Sequence, residues 1–126
     1  MSMFMRPNFK VFNDPLAPLY IVEGPSSMIL NQTLTGGTSL TWTPATGKSI
    51  YLTAIQAAST ALLTLAVNIT LARGNTTFLA IELTTVVNTY NAAFFSPLKF
   101  NTNETVKITN NTALTSINAT LFGYEL

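Results

Sequence analysis

The chain contains no cysteine and no histidine. The first absence removes disulfides and thiolate metal sites and leaves the redox compartment unread. The second removes the commonest general base, the side chain that titrates near neutrality and the commonest metal ligand. Charge is scarce as well: Asp, Glu, Lys and Arg make up 9% of the 126 residues, where ordinary soluble domains carry about 25%. The acidic side chains are Asp14, Glu23, Glu82, Glu104 and Glu125, and no two of them sit in a motif that would flank a glycosidic bond. Asp14 and Glu23 fall well short of the roughly six to eight oxygens a calcium site takes. Catalytic residues, cofactors and metals are therefore all expected to be absent. The basic residues Arg6, Lys10, Lys48, Arg73, Lys99 and Lys107 are scattered singly in a chain of net charge +1, which lacks the footprint of a nucleic-acid binder. Long apolar runs are missing too. The most apolar stretch, Ala61 to Leu71, is interrupted by Thr64, Asn68 and Thr70 and is far shorter than the ~20 residues needed to cross a bilayer. Arg6, Asn8, Lys10, Asn13 and Asp14 break up the N-terminus, so no signal peptide is expected.

One stretch, TPATGKS (Thr43 to Ser49), ends like a phosphate-binding loop. That loop needs glycine at its first position so that backbone N–H groups can curl around phosphate ahead of a helix. Trp42 occupies the position here, and the following IYLTAIQAAS is β-branched and aromatic rather than helical. Residues 44–48 are expected to form a tight turn between strands.

What is present is period-two alternation. In LLTLAVNITLARG, Leu63, Leu65, Val67, Ile69 and Leu71 point one way and Thr64, Ala66, Asn68, Thr70 and Ala72 the other, the mark of a strand with one buried face. TTFLAIELTT repeats it with Leu79, Ile81 and Leu83 inward and Phe78, Ala80, Glu82 and Thr84 outward, after a hairpin connection at Arg73-Gly74-Asn75. These eight inward residues are the expected core. Shorter runs at Ser27–Leu34, Ser39–Thr43, Ser49–Ala57, Glu104–Thr109 and Leu114–Leu126 are separated by glycine- and asparagine-rich turns. Thr53–Leu63, alanine-rich but also rich in Thr and Ile, reads as strand. The pattern describes a single all-β domain, a sandwich or barrel, over residues 26–126.

Residues 1–25 differ in kind. They hold Pro7, Pro15, Pro18 and Pro25 together with Phe4, Phe9, Phe12, Leu16 and Tyr20. Proline forbids a regular ladder, so the segment is expected to be an extended arm whose aromatics cover either a neighbour or its own sandwich, and Phe4, Phe9, Phe12 and Tyr20 are its candidate partner-binding residues. Asn-x-Thr occurs at Asn31, Asn68, Asn75, Asn103, Asn110 and Asn118; in a chain this rich in Asn and Thr it reads as turn and edge chemistry rather than glycan attachment. Trp42, the only tryptophan, reads as the cap of the sandwich core.

From Gly37 onward the order of features resembles small jelly-roll virion proteins, the head-decoration, fibre and spike subunits of phages and other viruses. The matching pieces are SLTWTPATGKSIYLTAIQAAS, LTLAVNITLARGNTTFLAIEL, FFSPLKF and ETVKITNNTALTSINATLFGYEL. The resemblance implies an eight-stranded jelly roll, a homotrimer, displayed on a particle, with capsid or other virion proteins as partners, a host-surface glycan as a further partner class, and no catalytic residues. The arm's anchoring role comes from its own composition. Two other readings share the sandwich: a carbohydrate-binding module using Trp42, Tyr51, Tyr90 or Tyr124, and a filament subunit whose arm adds a strand to its neighbour.

Overall fold

The computed structural model describes residues 26–126, which form eight strands. They are β1 (Met28–Thr35), β2 (Ser39–Trp42), β3 (Ile50–Ser59), β4 (Val67–Arg73), β5 (Thr76–Leu83), β6 (Thr89–Lys99), β7 (Val106–Asn110) and β8 (Ser116–Glu125). Two antiparallel four-stranded sheets result, in the orders β1-β8-β3-β6 and β2-β7-β4-β5. The pairs β1·β8, β2·β7, β3·β6 and β4·β5 are those of one long hairpin wrapped upon itself, so the fold is a jelly roll. The expected arm and its residues Phe4, Phe9, Phe12 and Tyr20 lie outside the described residues.

The alternation of β-branched and polar residues sets which faces meet. Leu34, Ile50, Leu52, Ile55, Ile117 and Leu121 from the first sheet pack against Leu40, Trp42, Val67, Ile69, Leu71, Ile108 and Leu83 from the second. A slip of one residue in any of these strands would turn its whole apolar set to solvent.

Six of the eight expected core residues are buried, and two are not. Leu65 is half exposed because β4 begins only at Val67. Its partners end there: Val67 pairs with Leu83, the last residue of β5, and Ile69 with Asn110, the last of β7. With no ladder partner beyond the Thr60 N–H, which donates to the Ser116 carbonyl, residues 60–66 become a connection despite their periodicity. Leu79 is only partly buried, and Phe78, expected outside, packs edge-on against Phe100 with ring centroids 5.8 Å apart. A shift in the β4·β5 register between Leu71 and Ala72 turns this end of β5. β6 is a strand that the alternation did not reveal. Its register with β3 jumps from Ala54↔Ala93 to Leu52↔Leu98, so that Phe94 to Pro97 form a bulge in which Phe94 packs against the core and Phe95, Ser96 and Pro97 stand outward. Pro97 is accommodated because β6 is an edge strand, where one side of the ladder needs no donor.

Candidate interaction surfaces

The jelly roll carries its connections at two ends, and they differ in chemistry. At one end lie the β2–β3, β4–β5 and β6–β7 connections and the C-terminus. Here TPATGKS forms the expected turn: the Lys48 N–H donates to the Ala45 carbonyl at 2.9 Å, with Gly47 at φ 82°, a backbone region open to glycine at little cost. The Gly47 N–H donates to Asn103 Oδ1 at 2.7 Å, and the Asn103 N–H donates to the Lys48 carbonyl at 2.8 Å. Trp42 is fully buried, and its Nε1–H donates to Glu125 Oε2 at 2.7 Å while the Ala45 N–H donates to Glu125 Oε1 at 3.0 Å. Those two hydrogen bonds, the backbone one first, hold the Glu125 carboxyl below the usual range against the opposing effect of desolvation, with Lys48 adding a smaller pull. Gly123 makes this arrangement possible. A Cβ there would lie 2.2 Å from the Tyr51 carbonyl oxygen and 3.1 Å from the Trp42 ring. The closing Gly-Tyr-Glu thus seats the indole, stacks Tyr124 on Tyr51 at 5.1 Å, and caps the indole N–H.

The same end holds an ion pair. Arg73 Nη2 lies 3.0 Å from Glu104 Oε1, with the guanidinium 5.0 Å from the Phe100 ring centroid. The Asn101 N–H also donates to Glu104 Oε1, at 2.8 Å. The Arg73 hydrogen bond, then that of Asn101, lowers the Glu104 carboxyl below its usual range.

The other end, formed by the β1–β2, β3–β4, β5–β6 and β7–β8 connections, has no charged residue in any of the four: GGT, TALLTLA, TTVVN and NTALT. It exposes Leu62, Leu65, Val86, Val87 and Leu114, and Leu62, Leu65 and Leu114 line a depression of about 470 Å³ together with Thr35, Leu63 and Ser116. Leu114 is fully solvent-exposed and adopts φ 61°, a left-handed conformation that costs a leucine roughly 1 kcal/mol. A buried asparagine pins the β1–β2 and β7–β8 connections. Asn110 Nδ2 donates to the Leu34 carbonyl at 3.1 Å and lies 3.2 Å from Thr115 Oγ1, and its Oδ1 accepts from the Thr112 N–H at 3.0 Å.

Trp42 is wholly inside, so it caps the core as its sequence position suggested and offers no sugar-stacking face. Tyr90 packs partly against the core, and Tyr51 and Tyr124 cover one another, with Lys99 Nζ 5.8 Å from the Tyr51 ring centroid. Among the Asn-x-Thr sites, Asn110 is fully buried and has no room for a glycan; Asn31 Nδ2 donates to Asn118 Oδ1 at 2.6 Å and to Thr120 Oγ1 at 2.7 Å. Among the described residues no cluster of three acidic, histidine or cysteine side chains could hold a metal ion, and no helix is long and apolar enough to cross a membrane. The charge-free end went unnoticed in the sequence because its four connections are far apart in the chain.

No protein-family model matches the chain, and no curated protein does. Among solved structures, the nucleoplasmin-like N-terminal domain of Drosophila FKBP39 is similar to it at a TM-score of 0.46 and 11% identity, over 81% of this chain and 93% of that one.

Proposed function

We propose that the protein is a non-enzymatic structural subunit of a virus particle, a capsid, decoration or spike component that self-associates into a closed homo-oligomer, a trimer by the resemblance above. The observation that carries this reading is the charge-free end, where five aliphatic side chains stand in solvent on a jelly roll with few charges elsewhere. Exposed aliphatic clusters of this kind mark contact surfaces, and a weakly charged exterior gives little colloidal repulsion between copies. The arm, through Phe4, Phe9, Phe12 and Tyr20, supplies anchors to neighbouring virion proteins in this reading. Each aromatic side chain can bury about 150–250 Å², and prolines lower the ordering cost.

Imaging of native material, together with light scattering of the purified chain, tests it. The expected result is a particle-bound or closed oligomeric species. A single chain at micromolar concentration, independent of salt, overturns the self-association. A chain beginning at Ser26 is expected to keep its β-sheet spectrum and fail to join the particle; full incorporation overturns the arm's role.

A further inference from the structure

A jelly roll has four edge strands, and three of them here are protected against pairing with another chain. β6 carries Pro97, the Phe94–Pro97 bulge and Lys99. β5 carries Glu82 and lies against the register shift at Leu71 and Ala72. β2 is four residues long. Short length, proline, charge and bulges are the devices by which edges are kept from joining. β1 has none of them. Its eight residues, MILNQTLT, contain no charge, proline or glycine, and they run in unbroken register with β8 from Met28↔Gly123 to Thr35↔Ser116. Among the described residues no strand pairs with its other side.

We infer that β1 pairs antiparallel with β1 of a second copy about a two-fold axis at Gln32, joining the two β1-β8-β3-β6 sheets into one. The side-chain pattern selects this register. Leu30 and Leu34 face the core, opposite Leu121 and Ile117, while Ile29, Asn31, Thr33 and Thr35 face outward. Any register in which positions of odd sum are paired sets inward against outward residues and breaks both faces. Centring on Asn31 sets Leu30 opposite Gln32, and the Asn31 amide is already committed to Asn118 and Thr120. Centring on Gln32 sets Leu30 opposite Leu34, Asn31 opposite Thr33, and the exposed Gln32 opposite its own copy. Leucine then meets leucine on the inward face and polar meets polar at the centre of the outward face, with Ile29 opposite Thr35 at its two ends. Two facing glutamine amides also satisfy each other, since each offers donors and an acceptor. No charge opposes charge, so nothing in β1 disfavours the self-pairing. The contact is independent of the virion reading and of the charge-free end.

The absence of cysteine gives a direct test, because one introduced thiol is the only thiol in the chain. Directly opposed residues in an antiparallel pair have Cα atoms about 4.5 or 5.5 Å apart, inside the span of about 4.4–6.8 Å that a disulfide bridges. Full-length Gln32→Cys, under mild oxidation in native buffer, is expected to form a disulfide-linked dimer with an unchanged circular dichroism spectrum. Thr33→Cys, two residues out of register with its own copy, is expected to stay monomeric on denaturing gels. A Gln32→Cys protein that does not cross-link, or a Thr33→Cys protein that cross-links equally well, overturns the proposal. Charge variants provide a second route that needs no oxidation. Gln32→Lys and Gln32→Glu are each expected to weaken β1-mediated association about fivefold, because like charges then oppose each other across the axis. An equimolar mixture is expected to restore it; equal weakening in the mixture overturns the Gln32 register.

Discussion

The two ends of this sandwich share one scaffold and almost nothing of their chemistry. Six of the seven charged residues of the described chain, Lys48, Arg73, Lys99, Glu104, Lys107 and Glu125, lie at or toward the end that carries the C-terminus, and Glu82 alone lies nearer the other. At the charged end the connections are tied by side chains that answer backbone groups: Glu125 holds Trp42 and Ala45, Asn103 holds Gly47, Glu104 holds Asn101 and Arg73. At the opposite end Asn110 performs that service from inside, the Thr84 and Thr112 hydroxyls accept from the Val86, Val87 and Asn68 N–H groups, and the most exposed positions go to leucine and valine. The difference teaches where polar groups are needed. Connections satisfy their buried backbone groups with whatever neighbour is at hand, and what remains facing outward is free for another role.

The comparison breaks most sharply at Trp42. Replacing it with alanine empties the core beneath the charged end and removes one of the two hydrogen bonds to the Glu125 carboxylate, so Trp42→Ala is expected to cost about 3–5 kcal/mol in denaturant unfolding. A loss under about 1 kcal/mol would show that the charged end holds without its cap. Asn110→Ala does the same to the apolar end, leaving the Leu34 carbonyl and the Thr112 N–H without partners, and about 2–3 kcal/mol is expected from the same measurement.

Acid separates the ends in another way. Glu104 and Glu125 both have carboxyls lowered in the folded protein, from an ordinary value of 4.5. A lowered folded-state pKa means that the stabilisation is fully present above the unfolded value and is lost as pH falls through the folded one. Stability is expected to decline below pH 4.5. Glu125→Gln should flatten part of that decline, as read by thermal unfolding across the acid range. The smallest effect on stability belongs to the exposed leucines. Leu62→Ser with Leu114→Asn is expected to change stability by no more than about 0.5 kcal/mol, since asparagine tolerates the left-handed backbone at position 114. The same pair should reduce self-association in light scattering. Unchanged association would move the contact surface away from this end.

The fold was legible wherever side-chain alternation coincided with a paired strand. Val67, Ile69, Leu71, Ile81 and Leu83 sit inside as their periodicity requires. The turn at Ala45–Lys48 follows from proline and glycine chemistry, and Trp42 is the core cap its position suggested. Legibility failed where the neighbours decided. Leu65 continues an unbroken alternation into a connection because β5 and β7 stop short of it, and β6 hides behind Asn91, two alanines and Pro97. The charge-free end and the edge of β1 that no strand pairs among the described residues were not legible at all, since each depends on which segments the topology brings together.

By itself the sequence determined the all-β class, the turns and most of the inward faces. The physical reason is that alternation, β-branching and turn residues act within a few positions of one another. It also fixed what chemistry is missing, because a side chain that is not encoded cannot be supplied by folding. Only the tertiary structure decided where strands end, which faces the register turns at Phe78 and Leu79, and what the Gly-Tyr-Glu close is for. Those outcomes depend on backbone partners distant in the chain, and a ladder extends only as far as both of its neighbours do.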